Sequence, residues 1–231
     1  MPRRCYWLLR IGYSNAAGDS SEYLCECKLA DIMWRMGLPV KKRRYSIAEY
    51  LEMEEKAIDR HEFHDGEVLA MSGGTYEHSC LQVRLTLAIG NRLQGKKCQL
   101  LSNDLRVRIW RQMDYLYPDM SVVCSEPEFD TEDPKKTTII NPSLVVEVLS
   151  DSTELYDRGA KSDLYRQIPT LKQYVLVSQS EPMVETYLRQ PRGKWQLEVY
   201  KGKSAKAKLS VIGIIVPLAE IYEGIEFPGG K

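Results

Sequence analysis

Residues 141–150 read NPSLVVEVLS, and this stretch decides how the rest of the sequence is interpreted. Five of the six residues from 144 to 149 are branched and apolar, which is typical of a β-strand buried on both faces of a sheet. Pro142 before the run and the polar residues 150–152 after it mark its two ends. Glu147 lies inside the run. Because a buried carboxylate costs several kcal/mol unless it is compensated, the strand predicts a basic partner, a strand end open to water, or a metal ion beside Glu147.

The composition is that of an ordinary globular protein. A length of 231 residues suits one domain, or one domain with an appendage, and 43% hydrophobic with 28% charged residues is typical of a soluble globular protein. The 32 basic and 32 acidic residues balance, which gives no support to strong non-specific binding of nucleic acid but leaves room for a local basic groove. No apolar run approaches the ~18 residues of a membrane span, so we expect a cytoplasmic protein without membrane contact.

The six cysteines do not form the pattern of a disulfide framework. Three of them fall in predicted helices or strands and are expected to be small core residues, namely Cys80, Cys98 and Cys124. The other three belong to residues 1–40, which also contain a Gly/Ser/Asn-rich piece and two internal methionines, Met33 and Met36. We expect residues 1–40 to be an N-terminal extension, disordered or belonging to a mis-assigned start, and residues 41–231 to form the domain proper.

Capping and turn signals define the first elements of that domain. Ser46 and Glu49 form a capping box that predicts a helix over residues 46–56. Asp65 and Gly66 between two strand-like arms predict a β-hairpin. The remaining elements are predicted by apolar periodicity and by Gly or Pro at their ends: a helix over 81–93, strands over 100–109, 118–124 and 144–149, a single helix over 151–167, a strand over 174–177, a hairpin over 183–200, a strand over 211–216 and a helical turn over 217–222. This order predicts an α/β (α+β) fold with a mixed sheet flanked by helices and extra β-hairpins.

Two carboxylates stand at informative positions. Asp119 follows Pro118 at the start of one predicted strand, and Glu147 lies in the next one. If these strands are neighbours, the two carboxylates meet at one end of the sheet, and a hard divalent cation such as Mg²⁺ would relieve their repulsion. For Asp119 alone, the alternative is a turn residue that bonds to its own backbone.

The helix that follows adds a basic candidate. Asp157, Lys161 and Tyr165 are spaced four residues apart and so lie along one helix face. Lys161 could reach over the end of the Glu147 strand, where a lysine beside a metal-bound water orients it or helps to lower its pKa. A solvent-exposed pair between Lys161 and Asp157 is the alternative.

Other polar residues have weaker interpretations. His61 and His64 lie three apart in a predicted strand and so point to opposite faces, which argues against a zinc site with His78. Arg106 and Arg108 share one strand face and could follow a phosphate backbone, but ion pairs with acidic residues are an equal alternative.

The pattern from Pro118-Asp119 through Glu147-Val148-Leu149 to Asp157–Lys161 and Tyr165 resembles the PD-(D/E)xK nuclease superfamily. It is most similar to the Uma-type restriction endonucleases, a bacterial family. The similarity covers Glu67 to Val177, is compatible with the flanks from about 45 to 222, and does not include residues 1–40. The resemblance implies a restriction-endonuclease-like fold, hydrolysis of DNA phosphodiesters with Mg²⁺ (or Mn²⁺) as cofactor, and a homodimer.

The same resemblance implies roles for individual residues. Asp119 and Glu147 would be catalytic metal ligands, with the carbonyl of Val148 as a third. Leu149 stands where the superfamily's motif has lysine, and the family places that lysine on the following helix, which makes Lys161 its catalytic substitute. The superfamily often has a further acidic residue before these strands, and Glu77 on the preceding helix or Glu67 on the hairpin could serve. His78 matches a family position and could contact phosphate, with capping of the helix start as the equal alternative. Asp104 is a further ligand or a strand-edge residue, and Tyr165 is an accessory candidate on the helix face of Lys161.

The alternative to an enzyme is a nucleic-acid-binding or assembly module. Such a protein would keep this fold and the acidic pair but would not catalyse efficient turnover. Asp119, Glu147 and Lys161 all within about one water-bridged hydrogen-bond reach of one another favour the enzyme. A distant Lys161 favours the binding module.

Overall fold

The computed structural model describes residues 43–71, 73–109 and 113–227. The predicted extension at residues 1–40 lies outside the described residues. In chain order the elements are α1 (Ile47–Lys56), β1 (His61–His64), β2 (Glu67–Ala70), α2 (Tyr76–Leu93), β3 (Gln99–Ser102), β4 (Arg106–Ile109), β5 (Asp114–Leu116), β6 (Met120–Val123), β7 (Thr138–Ile139), β8 (Leu144–Leu149), α3 (Glu154–Arg158), α4 (Ala160–Tyr165), β9 (Gln173–Ser178), β10 (Met183–Arg189), β11 (Trp195–Lys201), β12 (Lys206–Leu209), β13 (Ile214–Pro217) and α5 (Leu218–Ile221), with 3₁₀ turns at Pro191–Gly193 and Ser210–Ile212.

The strands form one large mixed sheet and two smaller sheets in the described part of the chain. The six-stranded sheet has the order β11-β10-β9-β8-β6-β3, in which β8 is parallel to β9 and antiparallel to β6. A five-stranded sheet has the order β2-β1-β5-β4-β7, and β12 pairs with β13. The predicted α/β (α+β) class with a mixed sheet, flanking helices and extra hairpins is therefore confirmed, although its strands divide among three sheets.

Strand β8 lies at the centre of the packing, and all six of its residues are buried. Leu144, Val146 and Val148 belong to a core formed with α2, β13 and α5. Val145 and Leu149 belong to a second core formed with α4 and the five-stranded sheet. Because side chains alternate along a strand, Glu147 faces this second core.

The first helix and hairpin form as the capping and turn signals predict. Ser46 accepts a hydrogen bond from the Glu49 backbone, 3.2 Å away, while the Glu49 side chain accepts one from the Ser46 backbone at 2.8 Å. Asp65 and Gly66 have φ angles of 44° and 85°, which the tight turn between β1 and β2 requires. Tyr50 of α1 packs on Phe63 of the hairpin and on Tyr115 of β5, and this fixes α1 against the five-stranded sheet.

Three predicted elements were wrong in detail. The strand predicted over 100–109 is two strands in different sheets, because a turn at Ser102–Asp104, in which Ser102 Oγ accepts from the Asp104 backbone at 3.3 Å, diverts the chain. The helix predicted over 151–167 breaks at Gly159, which has non-helical φ and ψ of −104° and −105°. The strand predicted over 211–216 begins as a 3₁₀ turn and pairs with β12, which the sequence analysis missed.

The expectation of unpaired core cysteines was wrong for two of them. Cys98 and Cys124 form a disulfide, while Cys80 is free. The antiparallel register of β3 and β6 pairs Gln99 with Val123. Cys98, one residue before Gln99, is therefore directly opposite Cys124, one residue after Val123. Both sulfurs still pack against the core that α2 forms. No helix in the described ranges has the length and apolar character needed to cross a bilayer.

Truncating Leu144 tests whether β8 is the packed centre of the fold. Leu144 is 0% exposed, so Leu144→Ala should lower the free energy of unfolding by about 2–5 kcal/mol in urea denaturation. Leu155→Ala is the matched control, because Leu155 is 90% exposed and should change this free energy by less than about 0.5 kcal/mol. Equal effects of the two substitutions would contradict the burial of β8.

Candidate active site

The ends of β6 and β8 place two carboxylates opposite each other. Met120 pairs with Val146 in the antiparallel register, which puts Asp119 opposite Glu147. The Asp119 backbone N–H donates to Glu147 Oε2 over 3.2 Å, and the Val148 backbone N–H donates to Asp119 Oδ2 over 2.7 Å. Each carboxylate is thus held by the backbone of the neighbouring strand, as the predicted convergence of Asp119 and Glu147 requires.

Lys161 is the basic partner of Glu147. Its Nζ lies 2.9 Å from Glu147 Oε1 and 3.7 Å from Asp157 Oδ1. The Lys161 side chain is only 6% exposed, so the solvent-exposed pair with Asp157 was the wrong alternative. Leu149, at the position of the superfamily's lysine, is buried in the second core, and α4 supplies the ammonium group instead.

Glu62 is a site residue that the sequence analysis did not identify. This side chain on β1 lies with its Oε1 3.1 Å from Lys161 Nζ, and Oε1 also accepts from the Tyr117 backbone over 3.2 Å. The Tyr156 hydroxyl donates to Glu62 Oε2 over 3.4 Å. Glu62 reaches the site only because the five-stranded sheet docks beside β8, and no local spacing in the sequence reports that docking.

Helix α2 fixes Asp119 from the other side. His78 Nε2 lies 3.2 Å from Asp119 Oδ2, and Gln82 Nε2 donates to Asp119 Oδ1 over 2.7 Å. The spacing of four residues puts both side chains on one face of α2. Gln82 was missed in the sequence, where a polar residue on an amphipathic helix has no distinguishing signal.

Tyr165 orients the second carboxylate. Its buried hydroxyl donates to Glu147 Oε1 over 2.9 Å, the same oxygen that contacts Lys161. Since Oε1 already has these two donors, Oε2 is the oxygen that faces Asp119. Tyr165 therefore supports Glu147 from inside the second core.

The buried groups shift one another's pKa values. Burial raises the pKa of Glu147 well above its ordinary value; the charge of Lys161 lowers this pKa, and the charges of Asp119 and Asp157 raise it. Burial opposes the charge on Lys161, but Glu147, Tyr165, Glu62 and Asp157 outweigh it and raise the pKa of Lys161 well above its usual range. Lys161 is therefore an ammonium ion at neutral pH. It donates hydrogen bonds and supplies positive charge, and it does not act as a base.

His78 is also biased toward its charged form. Burial lowers its pKa, but the hydrogen bond and charge of Asp119, a hydrogen bond with the Val148 backbone and the charge of Asp157 raise the pKa above its ordinary value. The cationic form of His78 is consequently favoured beside Asp119.

These groups line a cavity of about 830 Å³. The residues that carry the site's polar chemistry line its wall: Glu62, His78, Gln82, Asp119, Glu147, Val148, Asp157 and Lys161. Two carboxylates and a backbone segment offer the oxygen ligands that Mg²⁺ and Mn²⁺ prefer. Within the described residues, no cluster of three or more His, Cys, Asp and Glu side chains is arranged to hold a metal ion. The donor set still fits Mg²⁺, which is usually bound by one or two carboxylates and completes its shell with water and phosphate.

Several candidate residues lie away from this cavity. Glu67 is half-buried on β2, Glu77 is exposed in the first turn of α2, and neither lines the cavity. Asp104 forms an ion pair with Arg60 and a 3.0 Å hydrogen bond with Ser102. Besides Asp119 and Glu147, the acidic side chains of the site are therefore Glu62 and Asp157, and not Glu67, Glu77 or Asp104.

The two arginines of β4 do not follow a phosphate backbone. Arg106 pairs with Asp133 at 3.0 Å and Arg108 pairs with Asp130, and all four side chains are buried. The alternative of acidic partners was therefore right, although the pairs lie in the protein interior and not in solvent.

The arrangement of sheet, helices and acidic strand ends is that of a protein with a restriction-endonuclease-like fold. A crystal structure described as "a putative nuclease belonging to DUF820" from Anabaena variabilis ATCC 29413 matches with a TM-score of 0.59, over 75% of this chain and 97% of that chain. Its sequence is 15% identical, so the match shows the shared fold.

The chain belongs to the Uma2 family, described as "Putative restriction endonuclease", whose model matches residues 47–219. An uncharacterized protein of Synechocystis sp. is 40% identical over 185 residues, which cover 80% of this chain and 94% of the relative. A second uncharacterized protein of the same organism is 33% identical over 167 residues, covering 72% of this chain and 93% of the relative. The resemblance inferred from the site motifs is confirmed.

The pair of His78 and Asp119 can be tested by NMR titration, because the chain has only three histidines. His78 should titrate above about 6.5, and Asp119→Asn should lower its pKa. Since the pKa is higher in the folded state, the pair stabilises the fold below the unfolded-state pKa, and this contribution disappears as pH rises through the folded-state pKa. An unchanged His78 curve in the Asp119→Asn variant would contradict the pair.

Proposed function

We propose that this protein is a metal-dependent endonuclease that hydrolyses phosphodiester bonds in DNA. The observation that carries the proposal is the contact of Lys161 Nζ with Glu147 Oε1 at 2.9 Å, beside a carboxylate pair that lines a cavity. The contact of Lys161 with Glu147, whose other carboxylate oxygen accepts from the Asp119 backbone, supports an enzyme over a binding module. The family description as a restriction endonuclease and the nuclease description of the Anabaena protein support the same conclusion.

The carboxylates of Asp119 and Glu147 would hold Mg²⁺ or Mn²⁺, with the Val148 carbonyl as a further ligand. A metal bound there lowers the pKa of a coordinated water and offsets negative charge on the phosphate. The protein's own contribution is to keep both carboxylates oriented through Gln82, His78 and Tyr165, whose contacts leave Glu147 Oε2 turned toward Asp119.

The role of Lys161 follows from its charge. As an ammonium ion it can donate one hydrogen bond to an attacking water or to a phosphate oxygen while it keeps its contacts with Glu147 and Glu62. A positive charge fixed in a buried site stabilises the negative charge that develops as the nucleophile adds to phosphorus. Lys161 therefore orients the reacting groups and stabilises the transition state, and the proton of the attacking water passes to bulk water.

Two further expectations belong to this proposal. A homodimer is implied by the resemblance alone, and a cytoplasmic location by the absence of a long apolar segment in the sequence. Both stay predictions.

Nicking of supercoiled plasmid with Mg²⁺ or Mn²⁺ tests the catalytic assignment. Asp119→Asn and Lys161→Met should each lower the cleavage rate by at least about 100-fold, because each removes a charge that acts on the reacting phosphate. The matched controls are Asp163→Asn and Lys201→Met, whose native side chains are 77% and 66% exposed, and both should cleave at the wild-type rate.

The outcomes separate the two classes of protein. Cleavage that survives Asp119→Asn would place the activity elsewhere or in a contaminant. Metal binding at Asp119 without cleavage of any DNA by the wild type would favour the binding module.

Removal of the Tyr165 hydroxyl tests how Glu147 is positioned. Tyr165→Phe deletes the 2.9 Å hydrogen bond to Glu147 Oε1 and keeps the buried ring. Because groups that orient metal ligands typically affect affinity 10- to 100-fold, the Kd for Mn²⁺ measured by calorimetry should rise by at least about tenfold. Tyr222→Phe also removes a buried hydroxyl, but one that bonds to the backbone of Ser178 and Met183, and it should leave the Kd unchanged. Equal Kd values for wild type and Tyr165→Phe would contradict the positioning role.

A further inference from the structure

The reactive groups lie deep in the cavity. The side chains of Glu147 and Lys161 are 4% and 6% exposed, and that of Asp119 is 13% exposed. A phosphodiester must therefore enter the cavity before it can contact all three residues. The phosphates of duplex DNA lie on the outside of a stiff helix, and the backbone can leave that helix only if nucleotides unpair.

The charge of the cavity wall also limits what can enter. Arg60 and Lys161 are the lysine and arginine residues among the described residues that line it, and Arg60 already pairs with Asp104. They are outnumbered by the five carboxylates of the wall, Asp59, Glu62, Asp119, Glu147 and Asp157. Proteins that bind duplex DNA neutralise a row of phosphates with Lys and Arg. Even with His78 cationic and one divalent metal ion bound, the positive charges only balance these five carboxylates, so the wall can contact one or two phosphates but has no excess positive charge for a row of them.

The solvent-exposed part of the cavity wall, which we call its mouth, includes apolar side chains. Ile58 is 100% exposed and Leu69 is 42% exposed, and both line the cavity together with Met71. Exposed apolar surface rimmed by polar residues is a feature of ligand-binding grooves. The faces of unpaired bases and the edges of sugars can pack on such side chains, whereas in a duplex these faces are stacked within the helix.

From the depth, charge and apolar mouth together, we propose that the substrate is single-stranded or locally unpaired DNA and not an intact duplex. This inference rests on the proposed nuclease function and narrows its substrate class. The scissile phosphate lies against Asp119, Glu147 and Lys161, while an adjacent unpaired nucleotide packs on Ile58 and Leu69. A volume of about 830 Å³ is in the range of cavities that enclose small ligands, which suits such a short segment.

The inference is tested by comparing cleavage of a labelled oligonucleotide as a single strand with cleavage of the same oligonucleotide annealed to its labelled complement. Both reactions contain Mn²⁺. The kcat/KM for the single strand should exceed that for the duplex by at least about tenfold, because the duplex must first unpair at the site. With only one or two phosphate contacts, the KM for the single strand should rise by less than about tenfold between 50 and 200 mM salt.

A variant at the mouth tests the proposed contact with the unpaired nucleotide. Ile58→Ser removes a fully exposed side chain, so folding should be unaffected, and it should raise the KM for the single strand roughly three- to tenfold at unchanged kcat. Ile215→Ser is the matched control, because Ile215 is 54% exposed on β13 and does not line the cavity. It should leave KM unchanged.

The outcomes distinguish this inference from the function on which it rests. Duplex cleaved as fast as or faster than the single strand, or a KM that rises 1,000-fold with salt as for about 6–10 phosphate contacts, overturns the inference and leaves the nuclease proposal standing. Cleavage of neither substrate by protein with Mn²⁺ bound overturns both.

Discussion

The ammonium group of Lys161 sits among three carboxylates that arrive from three different parts of the fold. Glu147 comes from the centre of the large sheet, Glu62 from the hairpin in the second sheet, and Asp157 from α3. Each carboxylate is buried and would be unstable there without a cation, and loss of one partner from such a buried pair typically costs about 3–5 kcal/mol. This single charge therefore makes it possible to pack acidic strand ends into the interior. The geometry of the site and the docking of the two sheets depend on it together.

Lys161 lies on helix α4, whereas Glu147 lies on strand β8. In the superfamily's motif the lysine stands two residues after the glutamate on the same strand, a position that Leu149 occupies here as part of the second core. The break at Gly159 separates α3 from α4, and a Cβ at this position would lie 2.9 Å from the Leu155 carbonyl oxygen. Asp157 and Lys161 thus approach Glu147 from two short helices, and Tyr165 completes the contact one turn further on. The same chemistry is obtained from a different element of the fold.

Local patterns in the sequence predicted the elements that local forces determine. The capping box at Ser46, the Asp65-Gly66 turn and the apolar run of β8 each depend on residues within a few positions, and each was correct. The convergence of Asp119 and Glu147 followed from neighbouring strands. Glu62, Gln82 and the Cys98–Cys124 disulfide were missed because each depends on docking of distant segments, which spacing does not encode. The break at Gly159 was missed because glycine inside an otherwise helical pattern is usually tolerated.

The central claim is that the paired strand ends bind the metal ion through Asp119 and Glu147 while Lys161 stays beside Glu147. Anomalous diffraction from crystals soaked in Mn²⁺ tests this most directly, because it locates the ion independently of any activity. We expect one strong peak in contact with carboxylate oxygens of both Asp119 and Glu147, with the Lys161 Nζ still within hydrogen-bond distance of Glu147. A peak elsewhere, or none at saturating Mn²⁺, would contradict it.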